Sequence, residues 1–278
     1  MNAAEHWSQL VAHRGGPGQN PGGGRAAAGG PDFGSMADRL MRDGRRDMTS
    51  TPAFEAVAGA LGPERSVLDI GAGTGRYSLP LAAAGCRVQA LEPSPEMRSR
   101  LEGARAELGE EVARRVRVIA APWPAPAGTA EPAEVALASL VIHFCADAPG
   151  FIRAMAAAAS RRCVIAIRAD QHHPLVERLW PRFHPNLPHP AQPVADDLLW
   201  VLDEMGIRPE VRVHAPARPY GHYGSPEEAV RQISGLLRLD GTAAEALHGE
   251  IRGLLRPEGD GWVVDGPPVR EALVSWAP

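Results

Sequence analysis

The chain has 278 residues, a formal net charge of −4 and 44% hydrophobic residues. This length can bury one substantial core, or one core with a cap, and the negative charge argues against a partner held mainly through phosphates. Its three cysteines, Cys86, Cys145 and Cys163, lack the spacing of a metal site. Without a membrane-length apolar run or a secretory signal, the chain is expected to reside in the reducing cytoplasm.

Residues 1–35 are predicted to form a flexible segment rich in glycine and proline, with a short helix over residues 1–12. The ordered domain is expected over residues 36–278. Thr51 followed by Pro52 is typical of a helix start, with a hydroxyl cap and a proline at the first helical position.

A buried strand and a glycine-rich turn follow that helix. The strand begins at Val67, and its apolar run stops at Asp69. Glycines in such a turn adopt unusual dihedral angles and let a ligand approach the backbone. Strand, tight turn and helix start together form the usual position of a nucleotide-like ligand in an open α/β sheet. A dinucleotide fingerprint would need a glycine at Arg76, so the spacing disfavours an NAD-dependent oxidoreductase.

Helical patterns separate most of the later apolar stretches. Strands are predicted over residues 86–91, 116–120, 135–142, 163–167 and 211–214. This alternation predicts a mostly parallel sheet with right-handed crossovers.

Beyond Asp170 the pattern changes to an irregular stretch and then to two capped helices over residues 225–256. Two last strands, over residues 262–264 and 269–276, predict an antiparallel hairpin. Residues 171–193 and 218–260 are interpreted as elements of a lid.

Asp69 stands two residues before the first of three alternating glycines, and this D-x-G-x-G-x-G pattern resembles the class I S-adenosylmethionine-dependent methyltransferases. The resemblance implies an α/β fold with a doubly wound, mostly parallel seven-stranded sheet that ends in an antiparallel hairpin and carries a helical lid. It also implies S-adenosylmethionine as the cofactor, as in bacterial small-molecule methyltransferases.

The resemblance further implies that Glu92, at the end of the second strand, takes both ribose hydroxyls, although a surface charge is the alternative. Asp69 would act near the cofactor's ammonium group or merely rigidify the turn. Met97 is either a wall for adenine or a core residue, and Trp123 either stacks on adenine or covers the sheet edge. The predicted cofactor-binding residues are Asp69, Gly71, Ala72, Gly73, Thr74, Gly75, Glu92, Pro93, Met97, Ala121, Trp123 and Ser139.

His143 follows the predicted fourth strand and is the first candidate for a base or a substrate-orienting residue. Alternatively it is hydrogen-bonded beneath the loop or lines the cofactor. Tyr220, His222 and Tyr223 precede the lid helices and are the next candidates, against the alternative of a turn packed on the core. No metal site is predicted, because the H-x-x-x-H and C-x-x-C spacings are absent.

Methyl transfer to an oxygen or nitrogen of a small molecule, of the kind found in secondary metabolism, is therefore the predicted function. Neither nucleic acid nor a membrane is an expected partner, and the oligomeric state is left open. The alternatives are a protein or RNA methyltransferase with an open arginine-lined groove, and a non-catalytic binding or regulatory protein. The arginines of such a groove would be Arg98, Arg100, Arg114, Arg115 and Arg117.

Overall fold

The computed structural model describes residues 1–14, 48–171, 174–215, 222–239, 241–259, 261–264 and 269–278. The chain divides into two compact units. The first unit comprises Met1–Ile167, Pro193–Arg212 and Ala272–Pro278, and the second unit comprises Arg168–Gln192 and Val213–Glu271.

The strands of the described residues form two sheets. They are β1 (Ser66–Ile70), β2 (Arg87–Leu91), β3 (Val116–Ile119), β4 (Ala133–Ser139), β5 (Ala159–Arg168), β6 (Glu210–His214), β7 (His222–Tyr223), β8 (Leu255–Glu258), β9 (Gly261–Val264) and β10 (Glu271–Trp276). The larger sheet has seven strands in the order β3-β2-β1-β4-β5-β10-β6.

Four neighbouring pairs of this sheet are parallel, namely β1–β2, β1–β4, β2–β3 and β4–β5. Every residue of β1 is buried, as expected of a central strand covered on both faces. The predicted mostly parallel, seven-stranded α/β fold is confirmed.

The helices flank these strands in chain order. They are α1 (Ala3–Arg14), α2 (Pro52–Ala60), α3 (Ser78–Ala83), α4 (Pro95–Ala106), α5 (Glu110–Ala113), α6 (Ala148–Ala158), α7 (Pro174–Phe183), α8 (Ala195–Glu204), α9 (Pro226–Leu236) and α10 (Gly241–Arg252). Thr51 caps α2 as predicted, since its hydroxyl accepts a hydrogen bond from the Phe54 amide at 3.3 Å. Among the described residues no helix has the length and apolar character needed to cross a membrane.

The core of the first unit lies between α2, α3 and the larger sheet. Phe54 and Val57 of α2 are buried in one cluster with Val67 of β1 and with Val135 and Leu137 of β4. Burial of these aliphatic and aromatic groups contributes most of the stabilisation of such a layered fold.

Helix α1 agrees with the short helix predicted over residues 1–12 and continues to Arg14. Ala3, Trp7 and Val11 recur every four residues, are buried, and give the helix an apolar face. The helix packs against α8 and α6, and His6 Nε2 lies 2.9 Å from Asp197 Oδ1 on α8. The flexible segment after this helix stays a prediction, because residues 15–35 lie outside the described part of the chain.

The second unit has a hydrophobic core of its own. Leu179 and Trp180 of α7 pack with Ile233 of α9 and Ile251 of α10. The three-stranded sheet has the order β7-β9-β8, and both of its pairs are antiparallel. The described parts of segments 171–193 and 218–260 fall in this unit apart from Pro193, and their role as a lid stays a prediction.

An antiparallel hairpin is present, but its two strands are β8 and β9. Strand β10, which the sequence predicts as the partner of residues 262–264, instead lies between β5 and β6 in the larger sheet.

The predicted fourth strand over residues 135–142 is too long. Strand β4 ends at Ser139, and Leu140 has a left-handed backbone with φ of 54°. A short 3-10 helix over Ile142–Phe144 follows, because a left-handed residue cannot continue a strand.

Candidate functional site

The glycine loop after β1 has left-handed backbone at all three glycines, with φ of 68° at Gly71, 58° at Gly73 and 88° at Gly75. A Cβ atom at Gly71 would lie 2.5 Å from Val141 Cγ2, and one at Gly75 would lie 2.4 Å from Leu101 Cδ1. At Gly73 a Cβ atom would meet no described atom within 4 Å. Gly71 and Gly75 therefore serve close internal packing, whereas Gly73 faces space that a ligand can fill.

Backbone hydrogen bonds attach this loop to the end of β2. The amides of Gly71 and Ala72 donate to the Leu91 carbonyl oxygen at 2.8 and 3.0 Å. The Gly73 amide donates to Glu92 Oε2 at 2.9 Å. The loop and the acid after β2 thus form one hydrogen-bonded arrangement at the carboxyl edge of the sheet, where ligands of open α/β sheets bind.

Glu92 is buried, and both of its carboxylate oxygens accept backbone hydrogen bonds. The second is the bond from the Ser94 amide to Oε1, at 2.8 Å. Burial raises the pKa of Glu92, while the Ser94 and Gly73 amides oppose the rise. Each oxygen keeps a further lone pair, so the carboxylate fits a pair of ribose hydroxyls.

Asp69 is also buried, and its Oδ2 atom accepts a hydrogen bond of 2.6 Å from Ser78 Oγ at the start of α3. Burial raises the pKa of Asp69 to about 6, and the nearby charge of Glu92 adds to the rise. The bond to Ser78 ties the end of β1 to α3, which agrees with the interpretation that the acid rigidifies the turn. A direct role toward the cofactor stays a prediction.

The candidates for the adenine contact lie beyond β2 and β3. Ala121 is buried with Leu91 and Ile119, and Trp123 packs against this group. The Trp123 indole donates to the Phe151 carbonyl oxygen of α6 at 3.3 Å, and the two rings meet edge to face with centroids 6.3 Å apart. The indole is therefore held at this edge, and its stacking on adenine stays a prediction.

The two candidates after Glu92 differ in burial. Met97 is buried on α4, and Pro93 is exposed. The Ser94 hydroxyl caps α4 by accepting from the Met97 amide at 3.3 Å. Both remain predicted cofactor contacts, as does Thr74, which is buried in the glycine loop.

The turn after β4 carries His143 and lies against the glycine loop. Ser139 ends β4 half-buried, and Val141 makes the close approach to Gly71 described above. His143 is 8% exposed, and its imidazole contacts the Phe144 ring with centroids 4.4 Å apart. The structure thus brings the predicted catalytic histidine and the predicted cofactor loop to the same sheet edge.

The other predicted catalytic residues cannot be placed in this way. Tyr220 and the side chain of His222 lie outside the described part of the chain. Tyr223 is buried in the core of the second unit, which agrees with the alternative of a turn packed on the core. Within the described ranges, no group of three or more His, Cys, Asp or Glu residues could hold a metal ion.

Three neighbours of the site were not predicted from the sequence. Ser78 bonds Asp69, Trp7 bonds the Cys145 carbonyl oxygen directly after the His143 turn at 2.8 Å, and Phe144 is exposed beside His143. Only Phe144 carried a sequence signal, since it directly follows the candidate histidine.

Residues 68–165 match the family model described as a methyltransferase domain. Together with the fold and the glycine loop, this match supports a class I S-adenosylmethionine-dependent methyltransferase, with S-adenosylmethionine as the cofactor. The resemblance stated from the D-x-G-x-G-x-G pattern is thereby confirmed.

Two solved structures share the fold. The YcgJ protein from Bacillus subtilis is 14% identical with a TM-score of 0.51, over 80% of this chain and 95% of that one. A putative methyltransferase from Bacillus halodurans is 13% identical with a TM-score of 0.50, and the match covers 87% of this chain and 97% of that one. A third solved structure, magnesium protoporphyrin IX methyltransferase from Synechocystis with bound S-adenosylmethionine, is 16% identical with a TM-score of 0.47. That match covers 77% of this chain and 91% of that one. No curated protein matches the chain in sequence.

Proposed function

We propose that the protein transfers the methyl group of S-adenosylmethionine to an oxygen or nitrogen of a small-molecule acceptor by in-line displacement. The observation that carries this proposal is the close packing of Val141 on Gly71. It holds the His143 turn against the glycine loop, so an acceptor bound beside His143 would also lie beside the methyl donor.

Each side chain has a limited task in this proposal. The sulfonium supplies an activated methyl group, so the protein aligns the acceptor and excludes water. Glu92 would accept the ribose hydroxyls, and the open side of Gly73 would receive the methionine arm. His143 would orient the acceptor's hydroxyl or amine, or take its proton as the new bond forms.

The surroundings of the arginines support a small acceptor. Arg114, Arg115 and Arg117 pair with Glu110, Glu111 and Glu131 at 3.2, 2.6 and 3.2 Å. Arginines engaged with neighbouring carboxylates are a poor basis for a phosphate-binding groove. The resemblance to small-molecule methyltransferases extends the proposal to a metabolite acceptor.

The first test is calorimetry with S-adenosylmethionine, in which absence of binding at high micromolar concentration would contradict the proposal. The second is incubation with methyl-labelled donor and a cell extract. Label is expected in the acid-soluble fraction, whereas label in precipitated protein or RNA would support the macromolecular alternative. Binding without any transfer would favour the non-catalytic alternative.

A His143→Ala variant tests the proposed catalytic residue. Turnover should fall more than cofactor affinity, because the imidazole faces the acceptor in this proposal. Glu107→Ala, a change of an exposed carboxylate at the end of α4, is the matched control and should leave both quantities unchanged. Normal turnover in His143→Ala would remove the histidine from the mechanism.

A further inference from the structure

Phe144 is exposed in a turn whose other members are buried. It is 41% exposed, whereas Ile142 and His143 in the same 3-10 helix are 0% and 8% exposed. Single exposed apolar residues are ordinary on protein surfaces, so exposure alone assigns no role. The surroundings of this phenylalanine supply the further evidence.

The turn that carries Phe144 is held on both sides. Before it, the Leu140 amide donates to the Ala166 carbonyl oxygen of β5 at 2.8 Å. After it, the Cys145 carbonyl oxygen accepts from Trp7 Nε1 at 2.8 Å. Because these contacts fix the backbone, the phenyl ring is presented from a preorganised support rather than from a loose loop.

The same turn is placed at the methyl-donor loop. Val141, three residues before Phe144, closely approaches Gly71. The rings of His143 and Phe144 contact each other with an interplanar angle of 41°. A half-exposed aromatic face therefore adjoins the one imidazole that the proposed function assigns to the acceptor.

We propose that Phe144 is a specificity-determining residue of the acceptor site and that it selects an acceptor with a flat aromatic ring beside the methylated heteroatom. Aromatic rings gain from stacked or edge-to-face contact beyond the apolar area that they bury, and a saturated ring of equal size does not. This inference rests on the proposed function, of which it names the substrate class.

The test is an NMR titration of the full chain, saturated with S-adenosylhomocysteine and labelled with ¹³C at Cε1 of its histidines. Two probes are compared, the aromatic 2-naphthol and its saturated counterpart decahydro-2-naphthol. The His143 resonance is assigned by its loss in His143→Gln. We expect 2-naphthol to shift this resonance and to bind at least about fivefold more tightly than its saturated counterpart, in line with an aromatic contact. Phe144→Ala and Phe144→Leu should both lose this preference, although leucine retains apolar bulk.

The outcomes separate the two proposals. Equal binding of the two probes, no shift with either, or a preference that survives Phe144→Ala would overturn the aromatic specificity while the donor site stands. Failure of S-adenosylhomocysteine to bind in calorimetry would overturn the proposed function, and this inference with it.

Discussion

Two buried carboxylates of the candidate site, Glu92 and Asp69, have different surroundings. Glu92 accepts two backbone amides, one on each oxygen, whereas Asp69 accepts one side-chain hydroxyl. Burial raises both pKa values, and the rise at Asp69 brings its pKa to about 6. Ribose binding by Glu92 stays a prediction, whereas the bond from Ser78 ties Asp69 to the start of α3.

Glu92→Ala should weaken the binding of S-adenosylmethionine at least tenfold, because a hydrogen bond to a charged group contributes roughly 1.5–3 kcal/mol. Calorimetry measures this change directly. Glu107→Ala again serves as the control. An unchanged dissociation constant in Glu92→Ala would show that the ribose contact is misassigned.

Asp69 should make stability depend on pH in an unusual direction. Its pKa is about 6 in the folded chain, against an ordinary value of 3.8, so the folded state binds this proton more tightly. The stabilisation is complete below about pH 4 and is lost as pH rises through about 6. Relative to wild type, the free energy of unfolding of Asp69→Asn should therefore rise by roughly 2 kcal/mol between about pH 4 and 7.

Urea unfolding at several pH values measures that difference. Asp170→Asn is the control, and its pH dependence should have the opposite sign. Hydrogen bonding to Arg270 lowers the pKa of Asp170, so the Asp170 carboxylate stabilises the fold increasingly as pH rises. A difference between Asp69→Asn and wild type that does not vary with pH would contradict the raised pKa.

At the scale of elements, helix α1 supports the candidate site from a distance in sequence. Trp7 is fully buried, and its indole donates to the backbone carbonyl directly after the His143 turn. Its apolar spacing predicted a helix, but nothing local specifies a hydrogen bond to a carbonyl oxygen 138 residues away. Long-range contacts of this kind depend on the assembled fold.

Trp7→Phe should cost about 1–3 kcal/mol of stability, because it leaves the Cys145 carbonyl without its indole donor. It should lower turnover and broaden the His143 resonance while leaving the affinity for S-adenosylmethionine unchanged. Urea unfolding and the histidine spectrum of the labelled chain measure these effects. Trp200→Phe is the matched control on α8, where the indole is 40% exposed, and an effect of equal size there would contradict a positioning role for Trp7.

The elements differ in how far the sequence predicts them. Strands β1 and β2 followed from short apolar runs that stop at a glycine turn and at an acid. The end of β4 did not, because residues 135–142 read as one nearly continuous apolar run and leucine seldom adopts the left-handed backbone found at Leu140. For the same reason, the sequence does not predict the 3-10 helix that contains His143.

At the scale of the whole molecule, each unit has its own hydrophobic core. The sequence predicts a single methyltransferase domain over residues 36–278 with lid elements, and the change of pattern beyond Asp170 lies close to Arg168, where the second unit begins. The position of β10 was not predicted, because two adjacent strand-like segments read as a hairpin unless tertiary pairing is known. Pairing between strands that lie far apart in the sequence depends on the assembled sheet and cannot be predicted from the local sequence.

Ile251→Ala should destabilise the second unit by about 2–5 kcal/mol, since it empties a buried site in α10. Hydrogen exchange should accelerate in Val213–Glu271, with the affinity for S-adenosylmethionine changed by no more than about twofold. Leu137→Ala in β4 is the counterpart and should accelerate exchange in the first unit. Uniform acceleration by either variant would show that the two cores unfold as one.

The approach of Val141 to Gly71 limits how these two segments can vary in sequence. Any side chain at position 71 would collide with Val141, so a change in the donor loop is transmitted at once to the turn that carries His143 and Phe144. Under the proposed function, new acceptor preferences are therefore expected to arise within the turn itself, on a backbone that the glycine loop holds in place. In a laboratory selection for altered substrates, Phe144 is open to replacement and Gly71 is closed to it.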